Sequence, residues 1–223
     1  MLSPCPRPFA FVALFFALWL LRMGTYAHID AGLLDHFEKR LLSDGWRIAI
    51  WVLVPLLWLR WIERRPLRMA LFPIAALAPK RGWLLVVIAI VCLPFLQRLF
   101  NGTWTGIPKD ASAMLLIAGT LSTAVVAIAE EFLFRGVFLS GLLARNWAFV
   151  PANAVTAAFF SLSHWPGWLY GGGVSPANLA IMSIHMVLYG LLFGGIVRLQ
   201  GTLWGAILVH FANNIVSGGS FRP

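Results

Sequence analysis

Two adjacent carboxylates, Glu130 and Glu131, an arginine four residues later at Arg135, and three histidines, His164, His185 and His210, stand inside stretches of this chain that are otherwise apolar. An ionisable group within a membrane span costs at least about 2–3 kcal/mol, so a functional role is the first hypothesis for each. Neighbouring helical residues project about 100° apart, so Glu130 and Glu131 cannot share a face. Glu131 and Arg135 stack on one side, with the acid before the base in the favourable order. The spacing therefore pairs Arg135 with Glu131, keeps that carboxylate ionised, and leaves Glu130 free to face a cavity. A helix-stabilising ion pair with one snorkelling acid is the bland alternative, but two carboxylates beside one arginine are an expensive stabilising device.

His210 and Asn214, four apart, share one face of another helix, where an imidazole N–H and an amide can converge on one developing oxyanion. His164 closes a third span, four residues after Phe160. Measured from the turn at Arg145–Asn146 at the helical rise, Glu130 lies ~22 Å along one helix and His164 ~27 Å along the next. Antiparallel neighbours thus bring this acid and this imidazole to similar height. His210 lies ~15 Å along from the turn near Arg198 by the same rise. Singly, each histidine is more often a satisfied core group than a catalyst; the coincidence of three spans carries the functional reading. His185 has no helical polar partner and reads as structural, hydrogen-bonded to a neighbouring helix. His28 and His36 have no evident role.

The elements that must position these groups are membrane spans. Of 223 residues, 60% are hydrophobic and 11% charged, and mean hydropathy is +0.83. Soluble domains carry roughly a quarter charged residues, which excludes an ordinary water-soluble fold; disordered and nucleic-acid-binding classes need still more polar surface. Two cysteines, Cys5 and Cys92, rule out a disulfide scaffold, and a bridge between them is not expected. The net charge of +9 sits between apolar runs, where it reads as a topology signal and as contacts to anionic lipid.

The fold class expected is all-α, a polytopic bundle of about seven to eight helices with about seven spans. The first, Phe9–Leu21, has a positive leader but no clean cleavage site and reads as a retained span. Leu33, Leu34, Phe37, Leu41 and Leu42 recur at helical spacing in an otherwise polar segment, as in an amphipathic helix on the membrane surface. Spans follow at Trp46–Ile62 and Trp83–Phe100. The basic stretch from Arg60 to Arg81 between them is placed inside, and the N-terminus with it. The stretch from Ala111 to about Ala144 is too long for one simple span and must tilt or project. Trp147–His164, broken by Trp165-Pro166-Gly167, then Pro176–Val197 and Thr202–Val216 complete the set. Gly171–Gly173 reads as an external loop and a candidate gate. The organisation is 1–110, N-terminal spans with an external amphipathic segment; 111–217, a catalytic helical core; and 218–223, a tail.

At these residues the chain resembles the CAAX protease and bacteriocin-processing family, called CPBP or ABI, the type II CAAX prenyl endopeptidase group. The motif Glu-Glu-x-x-x-Arg is Glu130-Glu131-Phe132-Leu133-Phe134-Arg135, Phe-x-x-x-His is Phe160 to His164, and His-x-x-x-Asn is His210 to Asn214. Gly190, Gly194, Gly201-Thr202-Leu203-Trp204 and Ile207 match the approach to the last motif, with Thr202 where the family usually has Ser. The resemblance covers about residues 111–217 and implies intramembrane proteolysis. It makes Glu130 the base that activates a water, His164 its holder, Glu131 a support through Arg135, and His210 and Asn214 the oxyanion donors.

The resemblance further implies a membrane-anchored protein or peptide substrate, no nucleic acid, and a prokaryotic cytoplasmic membrane. A metal-free mechanism is preferred over zinc, because the local His-Glu-x-x-His arrangement of soluble zinc proteases is absent; zinc, if bound, would take Glu130, His164 and His210. The alternatives are a non-proteolytic immunity or sorting partner on the same scaffold and, less favoured, a transporter. The first has no need of the whole constellation, and the second lacks inverted repeats with interrupted helices in both halves.

Overall fold

The computed structural model describes residues 9–29, 36–101, 112–170 and 174–216, and among them every regular element is helical. We label the helices α1 (Phe9–Ile29), α2 (36–62), α3 (Arg68–Leu71), α4 (Pro79–Asn101), α5 (Ala113–Leu143), α6 (Phe149–Leu162), α7 (Trp165–Tyr170), α8 (Pro176–Gln200) and α9 (Trp204–Val216). Three stretches, Leu41–Ile62, Ala113–Leu143 and Pro176–Gln200, are long and apolar enough to cross a bilayer; Ala13–Gly24 and Trp204–Val216 are shorter apolar helices. Among the described residues, three of the about seven spans expected meet that length and apolarity. α4 has the length but carries Lys80, Arg81, Gln97 and Arg98.

Helix boundaries follow local chemistry. Ser112 and Ser175 cap α5 and α8, their hydroxyls accepting from Leu115 N at 3.2 Å and Asn178 N at 3.3 Å. Pro176 follows as the first residue of α8, where its missing N–H is no loss. Gly201 ends α8 at φ 76°, a left-handed cap, and a side chain there would meet Ile74 O and Ala76 N at 2.9 Å. The irregular segment after α3 lies across this end: Leu77 N and Ala78 N donate to Arg198 O and Leu199 O. Within α2, hydrogen bonds widen to the π pattern on both sides of Pro55, which has no N–H to give. In α5 the same widening covers Phe132–Leu139, directly after the paired acids.

α5 runs through the middle of the bundle, with α2, α3, α6, α8 and α9 packed around it, and α8 lies along α6, α4 and α9. Small residues let the backbones close, as membrane helices require. A Cβ at Gly190 would sit 2.7 Å from that of Ala157, one at Gly194 would collide with Asn153 Oδ1, and one at Gly136 would approach Ala70 O to 3.0 Å. Phe134, Val137, Phe193, Ile196 and Val197 are fully buried in the core formed there.

Several expectations shift. The first helix continues to Ile29, so Arg22 is not a span boundary; it is buried, donates to Ser43 Oγ at 3.3 Å, and lies 5.9 Å from the Trp51 ring. The amphipathic helix occupies His36–Ile48 and runs without a break into the second span. The span Trp147–His164 ends at Leu162, and after two residues the chain resumes as α7. Leu33, Leu34, Cys5, the loop after Asn101 and the Gly171–Gly173 segment lie outside the described residues. Cys92 is exposed with a free thiol.

Candidate active site

Glu130 and Glu131 end the regular part of α5, where the α-helical hydrogen bonding gives way to the wider turns. Both carboxylates are buried, and they point to different partners. Glu131 Oε1 accepts from Arg135 Nη1 at 3.0 Å and from His210 Nδ1 at 2.9 Å. Arg135 is fully buried; its Nη2 donates to Gly190 O at 3.0 Å, and its guanidinium carbon lies 4.7 Å from the Phe160 ring centroid and 5.2 Å from that of Phe193. Two hydrogen bonds and two aromatic faces hold a charge that the apolar surroundings would otherwise reject. The close approach of Gly190 to Ala157 packs α8 against α6 at the level where the Gly190 carbonyl meets this guanidinium.

Glu130 faces the other way, into a cavity of about 230 Å³. His164, His210, Asn213 and Asn214 line it with Glu130, together with His185, Tyr189, Trp168 and the apolar side chains of Val126, Met182, Met186, Phe160 and Phe193. Glu130 Oε2 is buried without a hydrogen-bond partner, 3.7 Å from His210 Nε2 and 3.9 Å from His164 Nε2. Those separations are wider than direct hydrogen bonds and leave a polar group shared among three side chains of three helical segments.

The imidazoles are oriented from behind. His164 occupies the two-residue turn between α6 and α7, and its Nδ1 lies 2.8 Å from Phe160 O. A carbonyl only accepts, so Nδ1 carries a proton and Nε2 faces Glu130. His210 Nδ1 likewise donates to Glu131, which turns its Nε2 into the cavity, and the ring stacks on Phe193 at 5.1 Å between centroids. The neutral forms of both rings thus present Nε2 lone pairs to Glu130.

The turn at His164 is itself held from three sides. Trp19 of α1 donates to Leu162 O at 2.8 Å, Ser161 Oγ to Ser183 O at 3.0 Å, and Trp165 Nε1 to Ser183 Oγ at 3.0 Å. The Trp19 bond satisfies a carbonyl left over at the end of α6, and the two bonds to Ser183 tie the turn to α8.

The structure brings Glu130, His164, His210 and Asn214 to one cavity, with Glu131 and Arg135 behind it. Glu131 does more than pair with Arg135, since it also reaches His210. His185, read as structural, lines the cavity with its ring 4.6 Å from that of Tyr189. Sequence reasoning missed Asn213 and Tyr189, whose hydroxyl donates to Asn213 Oδ1 at 3.0 Å. The signals were present: Asn213 is three residues after His210, and His185, Tyr189 and Phe193 recur at intervals of four.

The donor set is of a kind that zinc accepts, two imidazole Nε2 atoms and a carboxylate, with one ring backed by a second carboxylate. Among the described residues, however, no three His, Cys, Asp or Glu side chains gather closely enough to hold one ion.

Residues 112–216 match the family model described as Rce1-like, type II CAAX prenyl endopeptidase, and all the motif residues above fall within that range. No curated protein and no solved structure matches the chain. The match spans just under half of the chain, and the long apolar helices agree with a membrane setting.

Proposed function

We propose that this chain, whose residues 112–216 match the Rce1-like type II CAAX prenyl endopeptidase family, cuts a peptide bond of a membrane-anchored protein with a water activated by Glu130. The observation that carries this reading is the buried, unpartnered Glu130 Oε2, set 3.7 and 3.9 Å from two imidazole nitrogens on a cavity large enough for water and a peptide backbone.

In this reading a water sits between Glu130 Oε2 and the Nε2 atoms of His164 and His210. Glu130 takes one of its protons while the water oxygen attacks the scissile carbonyl carbon. The carbonyl oxygen becomes an oxyanion, stabilised by the Asn214 amide and by His210. Because Nδ1 of His210 is already committed to Glu131, donation from Nε2 requires the doubly protonated ring, whose charge Glu131 offsets at 2.9 Å. Glu130 then passes its proton to the departing amine nitrogen, the C–N bond breaks, and a carboxylate and an amine are released. No metal takes part in these steps.

By the positive-inside rule we read the basic stretch from Arg60 to Arg81, and the N-terminus with it, as facing the inside of the cell. On that orientation our reading sets the reaction in the outer half of the bilayer, which would suit removal of a C-terminal anchor or sorting signal. Glu130→Gln tests the reading. It preserves shape and should unfold as the parent does, while the rate of cleavage falls by about 10²–10⁴, the usual contribution of a positioned base. A proteomic comparison of membranes carrying the parent and the variant should reveal an uncut precursor. Parental cleavage by Glu130→Gln would dismiss Glu130 as the base.

A further inference from the structure

A second cavity, of about 540 Å³, opens at the far end of α2 and is lined by Leu56, Leu57, Leu59, Pro66, Leu67 and three arginines, Arg60, Arg64 and Arg65. Its size falls within the roughly 300–1,000 Å³ typical of small-molecule sites. It shares no lining residue with the catalytic cavity, and the proposed proteolysis makes no use of it.

The two kinds of lining are chemically distinct. Leu56, Leu57 and Leu59 belong to the apolar span Leu41–Ile62, whereas Arg64 and Arg65 come after its end, past Glu63. Arg65 is nine-tenths buried, with Nη1 on Glu63 Oε2 at 2.9 Å and Nη2 on Ser140 Oγ at 2.7 Å. Its Nε is buried and lacks a hydrogen-bond partner, a donor left over beside the two that reach Glu63 and Ser140. Arg64 stands at φ 51°, a left-handed conformation unusual for a residue with a long side chain, and Arg60 precedes it by about one helical turn. A buried spare N–H, two exposed guanidinium groups and an apolar wall at a span boundary match a phosphate attached to acyl chains.

We propose that this cavity binds the headgroup phosphate of an anionic phospholipid, with Arg60 and Arg64 closing on the phosphate, Arg65 Nε donating to it, and the leucine wall receiving the first part of an acyl chain. The occupant differs from diffuse lipid attraction in being localised and saturable. The inference is independent of Glu130 and stands or falls apart from the proteolytic reading.

The test uses the full chain purified in a neutral detergent, with thermal unfolding followed by tryptophan fluorescence. The additives are dioleoylphosphatidylglycerol, dioleoylphosphatidylcholine and inorganic phosphate at matched phosphate concentration. Phosphatidylglycerol should raise the unfolding midpoint in a saturable manner, as a ligand specific to the folded state does, and phosphatidylcholine should not. Arg60→Gln/Arg64→Gln, both surface changes, should raise the half-saturating phosphatidylglycerol concentration by about tenfold or more. Lys80→Gln/Arg81→Gln removes the same charge from the start of α4 and should leave that concentration within about twofold of the parent. Equal responses to the two lipids, a parental response from Arg60→Gln/Arg64→Gln, or an equal loss in Lys80→Gln/Arg81→Gln would overturn the site. Protection by inorganic phosphate as strong as by phosphatidylglycerol would make the occupant a free anion and overturn the lipid.

Discussion

His210 donates its Nδ1 proton to Glu131 Oε1 at 2.9 Å, a bond that joins α9 to α5 across 79 residues of sequence. Its consequence lies on the opposite edge of the ring, where Nε2 is held 3.7 Å from Glu130 Oε2. Two carboxylates adjacent in the chain therefore address opposite nitrogens of one imidazole, although they leave the helix on different sides. Glu131, tied to Arg135 and withdrawn from the cavity, sets the ring; Glu130, unpartnered at Oε2, is the group left to react.

Glu131→Gln separates these roles. The amide oxygen can still accept a hydrogen bond, but buried Arg135 loses its counter-charge, which should lower unfolding stability by about 3–5 kcal/mol, and the charge that offsets a protonated His210 is gone as well. Removing such a supporting partner typically reduces function by 10–100-fold, and we expect a fall of about that size in kcat with KM little changed. Single-turnover cleavage of a membrane-embedded peptide reads it directly. Because Glu131 acts through His210, the Glu131→Gln/His210→Gln pair should lose little more than His210→Gln alone. Additive losses would show that the two side chains work independently.

Metal dependence has a separate check. In the proposed mechanism, water is held by side chains alone, so elemental analysis of active, purified protein should give well under one zinc per chain, and chelator treatment should leave turnover intact. One tightly bound ion per chain, lost together with activity, would assign the Nε2 atoms of His164 and His210 to ligation instead.

Much of this site was legible because apolar surroundings make polar residues conspicuous. Glu130, Glu131, Arg135, His164, His210 and Asn214 stand out against their spans, and i, i+4 spacing predicted the Glu131–Arg135 pair that the structure shows at 3.0 Å. The Glu131–His210 bond was not legible, since helical periodicity reports which residues share a face and says nothing of which faces meet. Asn213 and Tyr189 were hidden for the opposite reason, each looking ordinary beside a stronger neighbour. The π-type turns after Glu131 leave no mark in hydropathy, and Trp19, which steadies the end of α6 from the far end of the chain, belongs to no motif. A charge usually marks the end of a span, and on that signal the first one stops at Leu21; burial of Arg22 against Ser43 and Trp51 overrides it, and the helix runs eight residues further to Ile29.

Gly194→Val probes the packing that aligns the site. A Cβ at Gly194 would overlap Asn153 Oδ1, while the Asn153 amide donates to Leu191 O at 3.1 Å, so neither helix can yield without breaking that bond. Overpacking a close-packed contact usually costs about 1–3 kcal/mol, and the lost hydrogen bond adds about 1 kcal/mol. Thermal unfolding in detergent should fall accordingly, and activity should fall with it because His164 sits in the turn that ends α6. Gly195→Val is the control. A Cβ at Gly195 has open space around it, and the variant should stay within about 0.5 kcal/mol of the parent, as surface changes usually do.

The end of the bundle away from the catalytic cavity holds a second buried ionic group. Glu63 accepts from Arg65 at 2.9 Å and from Trp58 Nε1 at 2.8 Å, and Arg145 lies 3.5 Å away, so one carboxylate ties the end of α2 to the segment just after α5. Taking one partner out of a buried ion pair leaves charge without compensation and typically costs about 3–5 kcal/mol. Glu63→Gln should therefore destabilise the chain by about that amount in detergent unfolding. Asp44→Asn, which breaks the more accessible Asp44–Arg47 pair of 2.9 Å, should cost no more than about 1 kcal/mol. Equal effects would mean that Glu63 is far better hydrated than its burial indicates, and the ionic tie would then contribute little to holding α2 against α5.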